Sequence, residues 1–580
     1  MDPVIVVGAG PVGLALSLAL ARHAVPSLVL DSTDGNPPPR AARSCILRPD
    51  TAAVLPPLPG LRWRSWRTRR RTQQVEQIEL APEQAPVHVE QHALERTLRS
   101  ALAEEKLARI VTDSHVDLLE QDATGVTAHT RGPSGTWWRG SYAVGCDGAR
   151  SMVRKLLGVR FPGRTAVERH AVAALRVRLP WEEGQYDEDG AWEPGDVGAA
   201  LLHRDPGGTP GEVTARPLPQ GRWRLDWLLP PRGELVTPEE MLERVADTLA
   251  VWSEESLRES AKAAAAPVGG RAGRAGRPGT SGTPRRPAAG GGPGAGPDGA
   301  GASSGIGPYE LVDTGVHTAH QRLARHWRVD RVFLAGDAAH LTGALGVQAV
   351  DEGLRDASNL AWKLALAWHH GHGAAADTLL DSYETERRGA MVARLRAVDQ
   401  ALPVVRRGGG LRALLPGGAR THLGLLTDGH LGRGLLGAPP AYTRTPLTPG
   451  RGSVAEVTVG TAPGAPVCDV SVTATDGSRG ALYEWLGGAG GELLVLLVAP
   501  GTGVWDSRHW LTAGMMPELA AAVAGLPLRA TLLVAENYPG AAAHTVLAIR
   551  ADGHLAAAFP AGRFNALRTC AEAVRGGAYS

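Results

Sequence analysis

A strand, a glycine turn and a helix open the chain, and no other feature narrows its fold as much. Val4 to Val7 is a short apolar run of β-branched residues, followed by Gly8-Ala9-Gly10-Pro11-Val12-Gly13. Val12 to His23 is rich in Ala and Leu at helical spacing, and a second apolar strand, Ser27 to Leu30, ends on Asp31. This is a βαβ unit, which predicts a parallel sheet with a ligand at the carboxyl ends of its strands. Gly8 allows the tight turn, Gly10 lets a pyrophosphate reach the backbone, and Gly13 permits close packing of helix on sheet, with Pro11 starting the helix. The helix N-terminus offers unpaired N–H groups to phosphates, while Asp31 can accept from adenosine ribose hydroxyls. The pattern predicts dinucleotide binding; the other reading is a glycine turn that only packs.

Composition bounds the rest. At 580 residues the chain exceeds one compact domain. Its 61 basic and 59 acidic residues leave a net charge of +2, which excludes a surface built as a whole for nucleic acid or anionic membrane. Cys45, Cys146, Cys468 and Cys570 are far apart with no CxxC, so neither a metal site nor a disulfide framework is expected, and a reducing cytoplasm fits. No apolar run reaches the ~18 residues of a membrane span, and no signal peptide is expected before Val4.

Along the chain, Glu90 to Leu107 predicts a helix and Ser141 to Gly148 a strand running into a turn. Short alternating segments such as Ala171 to Leu179 and Arg222 to Leu229 then predict an inserted antiparallel sheet. Residues 263–307 are almost entirely Gly, Ala, Pro, Ser, Thr and Arg, a composition that predicts a disordered loop. The strand Arg331 to Ala335 leads through Gly336-Asp337 to a helix from Asp351 to Trp368, and a polar helix follows near Tyr383 to Ala401. After a Gly/Pro/Leu-rich connection come strand Glu492 to Val498, helix Ala513 to Val523, strands Arg529 to Ala535 and Thr545 to Arg550, and helix Arg563 to Val574. The expected division is 1–165 and 309–402 as two parts of a nucleotide-binding domain, 166–308 as substrate domain, 403–450 as connection and 451–580 as a small α/β domain.

With the glycine turn, three further segments carry a resemblance: Gly145-Cys146-Asp147-Gly148-Ala149-Arg150-Ser151, Arg331 through His340, and Gly353 through Leu364. On these the sequence resembles the FAD-dependent aromatic hydroxylases, the para-hydroxybenzoate and phenol hydroxylase-like monooxygenases, especially the phenylpropionate and polyketide hydroxylase branch. The resemblance implies an α/β fold: a Rossmann-like FAD/NAD(P)-binding fold with an inserted antiparallel-sheet substrate domain and a C-terminal thioredoxin-like domain. It implies bound FAD, NADPH or NADH as transient co-substrate, and oxygen transfer from O2 to a small aromatic molecule through a flavin hydroperoxide. By position, Asp337 beside Gly336 would hold the ribityl chain. Arg43, Gln91 and Asp147 would handle cofactor or nicotinamide, and the turn through Gly346, Val350 and Asp351 would open a helix whose dipole faces the flavin pyrimidine edge. Taken alone, Arg43 and Gln91 also read as surface polar residues, and Asp147-Gly148 as a plain turn.

The chain departs from that family at Thr342 through Asp351, where two prolines, a glycine and an asparagine are replaced. Where thioredoxins carry CxxC, Ala499-Pro500-Gly501-Thr502 stands, so packing or a homodimer contact is expected of the last domain. No catalytic side chain is nominated. Baeyer–Villiger oxidation, epoxidation and a non-catalytic flavin-binding role stay open; a halogenase fits poorly, because its lysine would stand well upstream of Asp147 and the first lysine here is Lys106. Arg62 to Arg71 reads as a strand with a solvated basic edge, His369-His370-Gly371-His372 as a helix end, and His340 as structural. Trp223 and Trp227 read equally as pocket or core.

Overall fold

Residues buried on both sides of a sheet read as unbroken apolar runs, and the first strands do so. In the computed structural model, Val4–Val7 pairs in parallel with both Ser27–Leu30 and Tyr142–Gly145. These belong to a six-stranded sheet in the order Arg328–Val329, Val332–Leu334, Tyr142–Gly145, Val4–Val7, Ser27–Leu30, Ala108–Val111, in which only the first pair is antiparallel. The structure describes residues 1–36, 38–132, 135–182, 185–186, 192–193, 198–205, 207–230, 233, 236–264, 308–406, 418–450, 457–487, 491–501, 512 and 514–577. The low-complexity stretch lies outside them from 265 onward; residues 263 and 264 end the helix Pro238–Ala264.

The opening helix, Pro11–Arg22, packs against the long helix Ala349–His370. Contact is close because two glycines face one valine: a Cβ on Gly336 would lie 2.9 Å from Val12 Cγ2, and one on Gly353 2.6 Å from it. Gly336-Asp337 therefore sits against the glycine turn from the far end of the sequence. The helix Gln91–Ala103 is shorter than expected; the amides of Glu104 and Glu105 only close its last turn, and Lys106 lies beyond it.

A second sheet of eight strands runs His340–Thr342, Glu310–Leu323, Gly163–Arg176, Arg222–Leu229, Glu212–Leu218, Ala199–Arg204, Ser65–Arg70, Gln73–Glu79. All its pairs are antiparallel except Ala199–Arg204 with Ser65–Arg70. Alternation gives it two unlike faces. Ala171, Ala173, Leu175, Leu225 and Val213 pack on Met241, Val245 and Leu249 of the helix Pro238–Ala264. Trp223 and Trp227 are fully buried in that core, which settles them as packing and not as pocket walls. Trp63 and Trp66 likewise stack inside, at 5.9 Å, and Arg69 is buried, so the basic stretch is a strand with only part of its charge in water.

Beyond residue 406 the chain forms the helix Gly418–Leu431, in a stretch expected as plain connection, and then a six-stranded mixed sheet. Its central Leu493–Val498 runs parallel to Ala530–Ala535 and antiparallel to Thr545–Arg550. This sheet does not stand alone: Trp362, Leu366 and Leu379 share one core with Leu493, Val495 and Leu567. Beside that core, Glu386 takes Lys363 (2.6 Å) and both Nη atoms of Arg550 (2.6 and 2.8 Å), and Asn359 reaches Asp552 at 2.8 Å.

Candidate functional site

The polar face of the eight-stranded sheet looks into a cavity of about 1830 Å³, counted with its open mouth. Strand register sets the pairs on that wall: His170 opposite His317, Asp226 opposite Thr214, and Arg224 opposite Arg216. The facing wall is the turn Gly343–Val350, with Arg43, Gln91 and Asp337 beside it. The structure thus brings Arg43, Gln91, Asp337, Gly346 and Val350 into one cavity. The Gln91 amide N–H donates to the Arg43 carbonyl at 2.9 Å, tying these two neighbours together. Asp337 is open to the cavity, yet its pKa is raised, first by desolvation, with His340 and Arg43 pulling it back.

At the turn, Leu345 has φ +53° and Gly346 φ +79°. A left-handed leucine costs about 1 kcal/mol or more and persists only where its surroundings hold it. Glu168 of the sheet does this, accepting from the Leu345 amide at 2.9 Å. Burial opposes the charge on Glu168, but His170 and Arg406 beside it outweigh that and hold its pKa at about 2. On the turn's other side stands His430, so close that a Cβ on Gly346 would meet its Nδ1 at 2.5 Å. Burial, then the nearby Arg216, push His430 down to about 3, so it is neutral at ordinary pH. Burial likewise pushes the Cys45 thiol up to about 12, which leaves it unreactive.

The glycine turn lies beside this cavity. Gly8 has φ +105°, and a Cβ on Gly13 would strike the Gly8 carbonyl. Asp31 is buried and accepts from Ala9 N at 2.7 Å and from Thr33 N at 2.8 Å, so it braces the turn from the end of the second strand. Arg99, which sequence patterning does not single out, donates to the Ala9 carbonyl at 3.1 Å.

Two expected residues point elsewhere. Asp147 Oδ2 takes the amides of Met152 (2.5 Å) and Val153 (3.0 Å), holding the short helix Met152–Leu156. Asp351 accepts from Arg48 N at 2.9 Å and from Arg355 Nε at 3.0 Å, on the side of the turn away from the cavity. His340 stacks on Trp327 and pairs with Asp356 at 2.7 Å, fully buried. His369 binds the His23 carbonyl and His372 the Tyr142 hydroxyl; among the described residues no group of side chains could hold a metal ion. Glu168, Arg406 and His430 carry no motif of their own and reach the cavity from segments far apart in the chain, so no sequence signal marks them.

Residues 1–192 and 306–398 match the family described as FAD binding domain. Over 285 residues the chain is 28% identical to the 3-(3-hydroxy-phenyl)propionate/3-hydroxycinnamic acid hydroxylase of Klebsiella pneumoniae (strain 342), a match covering 48% of this chain and 38% of that protein. With the rifampicin monooxygenase of Streptomyces venezuelae it shares 29% identity over 399 residues, covering 67% of this chain and 68% of the relative. The matched region thus spans under two-fifths of the hydroxylase. Among solved structures, the ternary complex of aklavinone-11 hydroxylase with FAD and aklavinone aligns with a TM-score of 0.65 at 21% identity, over 99% of this chain and 98% of that one. The flavin-dependent monooxygenase PieE, in complex with FAD and substrate, aligns with 0.64 at 19%, over 99% and 98%. At these identities the likeness is one of fold. Each matched stretch carries half of the site, the glycine turn in the first and Gly336-Asp337 in the second, so the site falls within the part of the chain that matches the FAD binding domain family.

Proposed function

We propose that the protein is an FAD-dependent monooxygenase that uses NADPH or NADH and O2 to hydroxylate a small aromatic molecule. The observation that carries this reading is the single cavity between the Gly343–Val350 turn and the polar sheet face, opening beside the glycine turn. FAD fits the residues present. Gly10 has an ordinary φ of −76°, yet a Cβ there would meet no atom within 4 Å, so the turn keeps room for a phosphate where the backbone alone does not require glycine. The first turn of the opening helix has no side-chain cap, leaving its amides for that phosphate. Asp31 would hold the adenosine ribose, Asp337 the ribityl hydroxyls, and Arg43 and Gln91 the cofactor's flank. Gly346 and Val350 would seat the ring, with the N-terminus of Ala349–His370 beside it.

Bound FAD supplies reduction by the nicotinamide and activation of O2. The chain's own part is positioning and exclusion of water. Glu168 fixes the Leu345 amide and so the turn, His430 backs Gly346 as a neutral ring, and the sheet closes the opposite side. Phenolic substrates fit the relatives' names, and Baeyer–Villiger oxidation would use the same cavity. Among the described residues no helix is long and apolar enough to cross a membrane, and no cysteine is paired; both accord with a cytoplasmic enzyme. A homodimer through the last domain belongs to the same proposal. The test is NAD(P)H oxidation by the FAD-loaded protein with a panel of phenols and aromatic polyketides. Substrate-stimulated oxidation with a product heavier by one oxygen atom is expected; colourless protein that takes up no FAD would refute the reading.

A further inference from the structure

A second cavity of about 970 Å³, counted with its mouth, lies at the seam between the nucleotide-binding part and the last sheet, and it shares no lining residue with the first. Leu18 and Ala19 of the opening helix, Val54, and Leu354 and Ala357 of the long helix give it apolar walls, and Leu486 reaches it from the other side of the seam. These walls stand apart: within 4 Å, a Cβ on Gly487 would meet only Arg22 Nη1 and Val54 Cβ, each at 3.8 Å. The carboxylates around the cavity are matched. Asp50 accepts from Arg48 Nε at 3.0 Å and Arg355 Nη2 at 2.8 Å, and Arg355 Nε donates to Asp351 at 3.0 Å. Asp552 accepts from Arg550 Nη2 at 2.6 Å and Asn359 Nδ2 at 2.8 Å. Arg22 gives Nη1 to the Val54 carbonyl at 2.6 Å, and burial lowers its pKa against the pull of Glu105. His23, which also lines the cavity, is neutral, because burial outweighs Glu492 and brings its pKa to about 4. What stays unmet is neutral hydrogen bonding: Thr51 Oγ1 and His23 Nδ1 are buried with no hydrogen-bond partner among the described residues.

An apolar crevice whose carboxylates are already paired disfavours a further ion, whereas a neutral molecule that brings one polar group relieves an orphaned hydroxyl or ring nitrogen. Tyr442, stacked on His554 at 4.2 Å, adds an aromatic wall for a ring to lie against. We propose that this cavity is a second small-molecule site, separate from the flavin cavity, which takes a neutral compound of one or two rings carrying a hydroxyl or carbonyl group. Its occupant bridges the opening helix, the long helix and the last sheet. The inference stands apart from the monooxygenase reading, since neither cavity borrows a residue from the other.

The test uses the full-length protein with saturating FAD. The probe is 4-(hydroxymethyl)benzophenone, a neutral two-ring alcohol whose excited ketone inserts into nearby C–H bonds; after irradiation, adducts are mapped by peptide mass spectrometry. Adducts are expected on residues 15–23, 54–55 or 483–487, beside any in the flavin cavity. The anionic 4-benzoylbenzoate should label these peptides at least about tenfold less, the scale on which an unpaired charge is kept from an apolar site. Ser358→Leu, placed on the cavity wall, should abolish these adducts and leave any in the flavin cavity unchanged. Thr51→Val keeps the shape and should raise the concentration for half-maximal labelling about three- to tenfold, the loss of one neutral hydrogen bond, without altering that for plain benzophenone. Adducts confined to the flavin cavity overturn the site, and equal labelling by the acid overturns its neutral character. An unchanged half-maximal concentration in Thr51→Val also overturns the assignment, and it decides the matter even where Ser358→Leu does not fold.

Discussion

Asp337 meets two opposing demands: its carboxylate opens to the cavity as an acceptor, and its surroundings disfavour the charge it would carry. Asp337→Ala should weaken FAD binding about 10- to 100-fold, the loss of hydrogen bonds to a charged acceptor, and flavin retained through gel filtration measures it. The histidines set the acid limit. His88 and His430 are buried and shifted from 6.5 down to about 3, so the unfolded chain binds their protons first as pH falls. Their contribution is complete above about pH 6.5 and declines below it, each costing about 2 kcal/mol by pH 5. Glu168 adds a lower window, because its pKa of about 2 against an ordinary 4.5 means stability lost between those values. Tm measured from pH 7.5 downward should therefore begin to fall near pH 6.5; a flat profile to pH 5 would contradict neutral burial of these rings. At this scale the sequence was legible where backbone geometry dictates residue type, as at Gly8, Gly13 and Gly336. It was silent on Glu168 and His430, which meet the Leu345-Gly346 turn across a cavity and not through any neighbour in the chain.

The two helices that bracket the nucleotide site approach most closely where Val12 meets Gly353, with Gly336 against the same side chain. Gly353 is helical, so an alanine there would gain about 1 kcal/mol in propensity were there room for it. Its Cβ would instead lie 2.6 Å from Val12 Cγ2, and overpacking of this kind costs about 1–3 kcal/mol. Gly353→Ala should thus destabilise the protein alone and stabilise it in a Val12→Ala background, a sign change that a double-mutant cycle by urea denaturation reads directly. Elements of this kind were readable from periodicity: the strands Ser27–Leu30, Arg222–Leu229 and Thr545–Arg550 fall where alternation or apolar runs place them. The helix Gly418–Leu431 was not, because its glycines and mixed polarity hide the face on which Leu426 and Leu431 join the core of Trp66 and Leu345.

Across the whole molecule, the nucleotide-binding part and the last sheet are joined by charge as well as by apolar packing. Lys363, Glu386, Arg550 and Asp552 are nearly or fully out of contact with solvent. Burial lowers the Lys363 pKa to about 8, with Glu386 beside it resisting the shift. Removing one member leaves buried charges unmatched, so Glu386→Gln should cost about 3–5 kcal/mol, read from denaturant midpoints. That joint was invisible in the sequence, since Glu386 and Arg550 stand 164 positions apart with nothing local to couple them. It bears on descent. A tail that completes the interior of its neighbour is not shed or traded freely, because the truncated parent would bare Trp362 and take the Arg550 guanidinium away from the buried Glu386. The two parts are bound to change together, each amino-acid replacement on one side of the seam being judged by what already stands on the other.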